Sequence, residues 1–365
     1  LFKNRVSTVR TLNELTTRSS ADRKQPSFDL LHIREDSLLL NGYILPLLQY
    51  CSQQLKYLVT GGYGFVGSHL VEDLVADGHE VTVLDNLSNG SLSNLESIKQ
   101  NITGHISNIE HLRTNYFVDR FDGIFHLATA PRSSSLKDPI QDIETNCKGM
   151  ISVLEMAKSH NAKVVFTSNS GIYGSKSEGS PIDEMCINNP TTPYDANKLV
   201  SEYYCRIYHT LYSVRSTVIR LATVYGERQK VNEKLNWRPL VATLVKNVLN
   251  DEQVIIDGDG EQTRDLIYVR DAVQGIRSAM ESSIDDADIF LLSTNRETSV
   301  NQVLHTIEEV AGKKVSARHG HPIPGDIRRM RYSYAKAKTK LGFEPKYTVI
   351  EGVKRIVSFA QTSKD

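Results

Sequence analysis

Tyr194-Asp195-Ala196-Asn197-Lys198 places a phenol and an ammonium four residues apart, and on a helix that spacing puts both on one face. An ammonium beside a phenol favours the phenolate, and each unit of pKa shift is worth about 1.4 kcal/mol. Bringing a phenol from about 10 to near neutrality therefore takes about 4 kcal/mol. The result is a base that can take a proton from an alcohol and return it. A second group, Ser168-Asn169-Ser170-Gly171-Ile172-Tyr173-Gly174, follows the apolar run Ala162–Thr167. A hydroxyl there, from Ser168 or Ser170, can hydrogen-bond a reacting oxygen and share its proton with Tyr194. A third is Thr60-Gly61-Gly62-Tyr63-Gly64-Phe65-Val66-Gly67. Its glycines let the backbone turn tightly and approach a pyrophosphate, whose charge is stabilised by the helix N-terminus that follows.

The elements needed to position these groups are legible around them. Lys56–Thr60 is a short β-rich run before the glycines, and Ser68–Asp77 is apolar at helical spacing, closed by Gly78. Glu80–Leu84, Gly123–Leu127, Ala162–Thr167 and Ser216–Arg220 read as further strands, with helices at Asn146–His160 and Ala196–Tyr212 among the stretches between them. This alternation predicts an α/β fold, a Rossmann-like doubly wound parallel sheet with its ligand at the carboxyl ends of the strands. Asp85 stands eighteen residues after Gly67, just past the second strand. Its carboxylate can accept from the adenosine ribose hydroxyls and would repel a 2′-phosphate, which favours NAD over NADP. After about Gly226 the alternation loosens, so residues 56–225 are expected to form the main part of the NAD-binding domain and 226–365 a smaller C-terminal substrate-binding lobe.

Lys and Arg total 43, as do Asp and Glu, so the net charge is zero. That excludes a protein that wraps nucleic acid by bulk charge. The four cysteines form no C-x-x-C pair, so neither a disulfide framework nor a metal site is expected. The longest apolar stretch, Leu38–Leu48, is broken by Asn41 and Pro46 and is short of the ~20 residues of a membrane span. Residues 1–20 carry four basic side chains, seven Ser/Thr and one acid, the composition of an organellar import segment. The reading adopted is a polar N-terminal extension over residues 1–55, apolar enough from Asp29 to pack on the body, in a cytoplasmic protein; import through residues 1–30 is the alternative.

With these pieces in place the chain resembles an extended short-chain dehydrogenase/reductase, and more narrowly the NAD-dependent nucleotide-sugar epimerase/dehydratase family. The resemblance runs from about Lys56 to Ser358, through VTGGYGFVGSHL, VTVLDNLSNG, FHLATA, DPIQDIETNCKGM, FTSNSGIYG, PYDANK, RLATVYGERQ, GDGEQTRDLIYVRD, PGDIRR and LGFEP. It implies Tyr194 as acid/base and Lys198 as the group that holds the nicotinamide ribose and lowers the Tyr194 pKa. It implies cofactor contacts from Gly61, Gly64, Phe65, Val66, Gly67, Asp85, Asn86 and Ala128, with Asn146 supporting that side. Arg264 and Arg328 resemble arginines that grip the nucleotide diphosphate, a task suited to a bidentate guanidinium, and Thr223 lies in the substrate-binding pattern. The resemblance also implies a homodimer through a helix bundle containing Ala196–Tyr212.

Three positions depart from the family's pattern. His105 or Ser107 stands where an adenine-contacting acid is usual, Thr223 replaces an Asn, and Asn169 interrupts the serines, with Ser168 matching members that carry glycine in the middle. Dehydratases and related decarboxylases place Asp or Glu immediately after the active hydroxyl; here Asn169 and Ser170 cannot donate a proton as an acid would. The expected activity is thus epimerisation at the sugar 4-position of a UDP-hexose, UDP-hexuronate or N-acetyl derivative. The alternatives are a dehydratase or reductase of the same fold, or a non-catalytic nucleotide sensor.

Overall fold

A computed structural model describes residues 53–174, 181–232, 234, 238–322 and 327–362. The expectations for the N-terminal extension fall, apart from its last three residues, outside the described residues. Gln54–Asp365 forms one compact unit.

Seven strands make the central sheet: β1 (Lys56–Thr60), β2 (Glu80–Asp85), β3 (Ile102–Ile106), β4 (Gly123–His126), β5 (Lys163–Asn169), β6 (Ser216–Leu221) and β7 (Asp286–Leu292). Their order is β7-β6-β5-β4-β1-β2-β3 and every pairing is parallel. Chain direction across the sheet reverses between β1 and β4, so the carboxyl ends of these two strands flank the crevice where an open α/β sheet takes its ligand. Because parallel sheets are covered on both faces, β4 and β5 are apolar runs without alternation.

Alternate residues feed two cores. Val59, Val83, Phe125, Val165 and Ile219 pack with Leu70 of α1 (Phe65–Ala76) on one face. Leu58, Ile124, Val164, Phe166 and Val218 pack on the other with Met150 and Leu154 of α2 (Gly149–His160) and Cys205 of α3 (Pro193–Tyr212). α3 begins three residues earlier than its apolar pattern. Thr192 caps it by accepting from the Asp195 N–H, and Pro193 occupies the first turn. Tyr194 is therefore fixed in the first turn, against the sheet's carboxyl edge.

Two strands of the central sheet escaped the sequence reading. β3 is an edge strand with a half-exposed pattern. β7 begins with Asp286 and a positive-φ Ala287 that shifts its register on β6, which hides the apolar run behind it. β7 lies well beyond Gly226, so the C-terminal part completes the main sheet and covers it with α4 (Val269–Glu281). The remainder of that part holds three short ladders: Thr223–Tyr225 with Leu266–Tyr268, Thr263–Arg264 with Thr298–Ser299, and Val254–Asp257 with Ala317–Gly320. Among the described residues no helix is long and apolar enough to cross a membrane.

Candidate active site

The glycine turn fits a dinucleotide phosphate. Gly61 has φ +73°, and a Cβ there would lie 2.7 Å from the Ala128 nitrogen; at Gly67 it would lie 2.1 Å from the Gly61 oxygen. Only glycines let β1, α1 and the loop after β4 meet this closely. Gly64 caps α1 without a side-chain hydrogen bond, and the first turn, where Phe65 and Val66 stand, carries no acid. The unpaired N–H groups of that turn thus face no competing anion of their own helix. Asp85 closes β2, and its carboxylate accepts from the Tyr63 N–H (3.0 Å) and the Leu87 N–H (2.8 Å). Burial pushes its pKa up against these hydrogen bonds. The Gly64 and Asn86 N–H groups oppose that shift as well, so backbone donors hold this carboxylate at the end of β2. Asn86 donates to Asn108 at the same strand ends (2.9 Å). Replacing Asp85 with Ser is expected to narrow the preference for NAD over NADP at least tenfold, read by titrating both cofactors; an unchanged ratio would remove Asp85 from that role.

Lys198 is buried and donates to the Thr167 carbonyl (3.0 Å), with its nitrogen 5.8 Å from the Tyr194 ring centroid. Burial lowers its pKa to about 8. Burial pushes the Tyr194 phenol up to about 12, opposed by hydrogen bonds with the side chains of Thr129 and Asn169. Asn146 projects from a single π-helical turn, Glu144–Lys148, an irregularity often found at functional sites. It accepts from the Thr129 hydroxyl (2.8 Å) and donates to Asp142 (2.8 Å), which also accepts from Asn197 (2.6 Å).

The two candidate serines are turned elsewhere. Ser168 belongs to the row of Val164 and Phe166 that packs under α3, and its hydroxyl donates to Glu202 (2.5 Å). Glu202 in turn accepts from Arg220 at 2.9 and 2.6 Å, and Arg220 donates to the Tyr173 hydroxyl (2.7 Å). Ser170 is a hydrogen-bond partner of the Tyr332 phenol. Asn169, not a serine, meets Tyr194; it donates to Asp195 (3.1 Å) and accepts from the Ile172 N–H (3.2 Å). Sequence reading missed Thr129 because Thr is unremarkable in FHLATA. The available signal was its place three residues beyond the end of β4, at the sheet's switch point.

Arg264 and Arg328 are neighbours through the main chain, since the Thr263 N–H donates to the Arg328 carbonyl (2.9 Å). Arg264 donates to the carbonyls of Thr263 and Ile327 (both 2.9 Å). Arg328 is an exposed bidentate partner of Asp259 (2.6 and 2.9 Å) and holds that carboxyl down to about 2. Arg328 and Asp259 line, with Asp257, Gln262 and His319, an open cavity of about 610 Å³. Thr223 opens the short strand beside Arg264, its N–H donating to the Asp265 carbonyl (3.0 Å).

Comparison with known proteins identifies the family. The model of the NAD dependent epimerase/dehydratase family matches residues 57–292. A putative UDP-glucose 4-epimerase of Methanocaldococcus jannaschii is 31% identical over 307 residues, 84% of this chain and 98% of that protein. UDP-glucuronic acid decarboxylase 1 of Xenopus tropicalis is 31% identical over 309 residues, 83% of this chain and 72% of that protein. Among solved structures, the UDP-glucose 4-epimerase of Thermotoga maritima with UDP-glucose superposes with a TM-score of 0.80 at 34% identity, covering 85% of this chain and all of the other. With its seven-stranded doubly wound sheet and a glycine turn shaped for a dinucleotide, the chain belongs to the NAD-dependent epimerase/dehydratase family.

Proposed function

We propose that the protein inverts the 4-position of a nucleotide sugar, a UDP-hexose, UDP-hexuronate or N-acetyl derivative. Tyr194 removes the proton of the 4-hydroxyl and returns it, and Lys198 stabilises the phenolate. The turn Gly61–Gly67 and Asp85 would hold NAD, which would supply the redox chemistry of reversible hydride transfer. Arg264 and Arg328 hold the diphosphate, Arg328 exchanging Asp259 for phosphate oxygens, and Thr223 lies beside them. The observation that carries the reading is the state of the two carboxylates around Tyr194. Asp142 accepts from Asn146 and Asn197, and Asp195 accepts from Asn169, Thr192 and Arg132, both carboxylates being fully buried. Neither is placed to protonate a leaving hydroxyl, so reversible oxidation is favoured over elimination.

A panel of UDP-sugars incubated without added cofactor tests this. Conversion of one sugar to its 4-epimer is expected. A UDP-pentose with release of carbon dioxide, a 4-keto-6-deoxy product, or net consumption of reduced cofactor would each replace the reading by decarboxylase, dehydratase or reductase.

The protein is also proposed to act as a homodimer through α3. Val200, Tyr203, Ile207 and Leu211 fall along one side of this helix and are exposed. Ile207→Arg is expected to convert a dimer to a monomer in sedimentation analysis, and a wild-type monomer at micromolar concentration would refute the assignment.

A further inference from the structure

The serine turn was expected to provide a hydroxyl to the phenol, yet its two serines are bonded to Glu202 and Tyr332, and the residue between them is an amide. An amide can orient an oxygen but has no hydroxyl proton to share. We propose that Thr129 is the hydroxyl partner of Tyr194 in the reaction, with Asn169 anchoring the phenol from the other side; this rests on the assignment of Tyr194 as the base.

Four observations carry it. Thr129 follows directly on Ala128, whose nitrogen lies where a Gly61 side chain would be, so the threonine stands at the rim of the dinucleotide crevice. It is exposed, so a ligand can reach it, whereas Ser168 is buried. Its side chain lies beside the phenol and opposes the upward push of burial on the Tyr194 pKa. Its hydroxyl also has a fixed second acceptor in Asn146 Oδ1 at 2.8 Å, and Asn146 is held in turn by Asp142, itself held by Asn197 one turn from Tyr194.

The Thr129 hydroxyl has one proton and three neighbours, the phenol, Asn146 Oδ1 (2.8 Å) and, at a longer 3.2 Å, the Ala130 carbonyl, and can serve both states of the base. While Tyr194 is protonated, Thr129 accepts from the phenol and donates to Asn146. When the phenolate forms, rotation about the Thr129 Cβ–O bond turns the same proton onto the phenolate oxygen. No proton leaves the pair beyond the one that Tyr194 exchanges with the sugar. The buried carboxylate of Asp142 orients the amide of Asn146 so that its oxygen faces Thr129. Asn169 cannot rotate in this way, because Asp195 and the Ile172 N–H hold both ends of its amide.

The test compares Thr129→Val, Thr129→Ser and Ser170→Ala as NAD-loaded proteins. Thr129→Val is expected to lower kcat roughly 100-fold with KM changed little, and to move the base limb of the pH profile upward, since the phenolate loses a donor. Thr129→Ser restores most of the rate, and Ser170→Ala changes neither rate nor profile. Ultraviolet difference titration of phenol ionisation, with the Tyr194→Phe signal subtracted, needs no substrate and is expected to show the same upward shift in Thr129→Val. A wild-type rate and titration in Thr129→Val, or a loss in Ser170→Ala equal to that in Thr129→Val, would overturn the proposal. If Tyr194→Phe is inactive while Thr129→Val is normal, the base assignment stands and only the threonine's role is lost. If Tyr194→Phe keeps its activity, both fail.

Discussion

Tyr194→Phe is expected to lose turnover by about 10³-fold or more while the protein keeps its NAD. The change removes one oxygen and no packing volume, so the ring still fills its place between α3 and the end of β5. What disappears is the phenolic hydroxyl beside Lys198. The phenol's ordinary pKa is near 10, and burial pushes it up to about 12. Turnover near neutrality thus requires the positive charges of the bound state to oppose burial. Each pKa unit corresponds to about 1.4 kcal/mol, so Lys198 and the bound cofactor together must supply several kcal/mol. Lys198 is poised for that, since burial has already brought its ammonium to about 8 and a phenolate neighbour would raise it again. The measurement is kcat with the best substrate of the UDP-sugar panel, paired with the NAD content of each protein after purification. Retained turnover in Tyr194→Phe would eliminate acid/base catalysis by this residue and favour the nucleotide-sensor reading. A variant stripped of NAD would point instead to a purely structural place for the phenol in the cofactor pocket.

Why some of this site can be read along the chain and some cannot follows from the distance over which each feature is determined. The glycine turn is local: Gly61 and Gly67 are required by contacts within eight residues of sequence and by the neighbouring loop at Ala128. The Tyr194–Lys198 pair is also local, one helical turn, and Asp85 lies at the end of an alternating strand. The hydroxyl partner is not local. Ser168 and Asn169 point to opposite faces at the end of β5 and Ser170 begins the turn beyond it, and which of them reaches the phenol depends on where Glu202 and Arg220 sit in α3 and β6. Thr129 reaches Tyr194 from a loop sixty-five positions away in sequence, with nothing in its own neighbourhood to mark it. The same logic hid β7, whose pairing with β6 is set by a long-range register and whose first residues are polar. Arg264 and Arg328, matched by motif, are brought together by the backbone of their ladder. The Arg264 guanidinium meets backbone carbonyls and that of Arg328 meets Asp259.

The largest stability effect is expected not at the reacting groups but one layer beneath them. Arg220 and Glu202 form an ion pair with both side chains nearly inaccessible, joined by two hydrogen bonds and extended at either end by Ser168 and Tyr173. Burying two charges is costly, and their attraction repays it only while every donor and acceptor is matched. Glu202→Ala leaves the Arg220 guanidinium buried without its carboxylate and the Ser168 hydroxyl without its acceptor. Breaking such a pair costs about 3–5 kcal/mol, a large fraction of the roughly 5–15 kcal/mol that holds a typical fold. Urea unfolding is expected to show the unfolding free energy falling by that amount, through a lower midpoint at unchanged slope. Ser168→Ala, which removes one bond and leaves the ion pair intact, should cost about 1 kcal/mol. The double change Glu202→Leu with Arg220→Leu separates burial of charge from packing, because it removes both ions together. It should recover much of the stability lost in Glu202→Ala, while turnover falls as β5 and α3 lose the contact that sets Asn169 against Tyr194. A Glu202→Ala protein as stable as the wild type would mean that water reaches Arg220, and the ion pair would then have no part in fixing the strand end that carries Asn169.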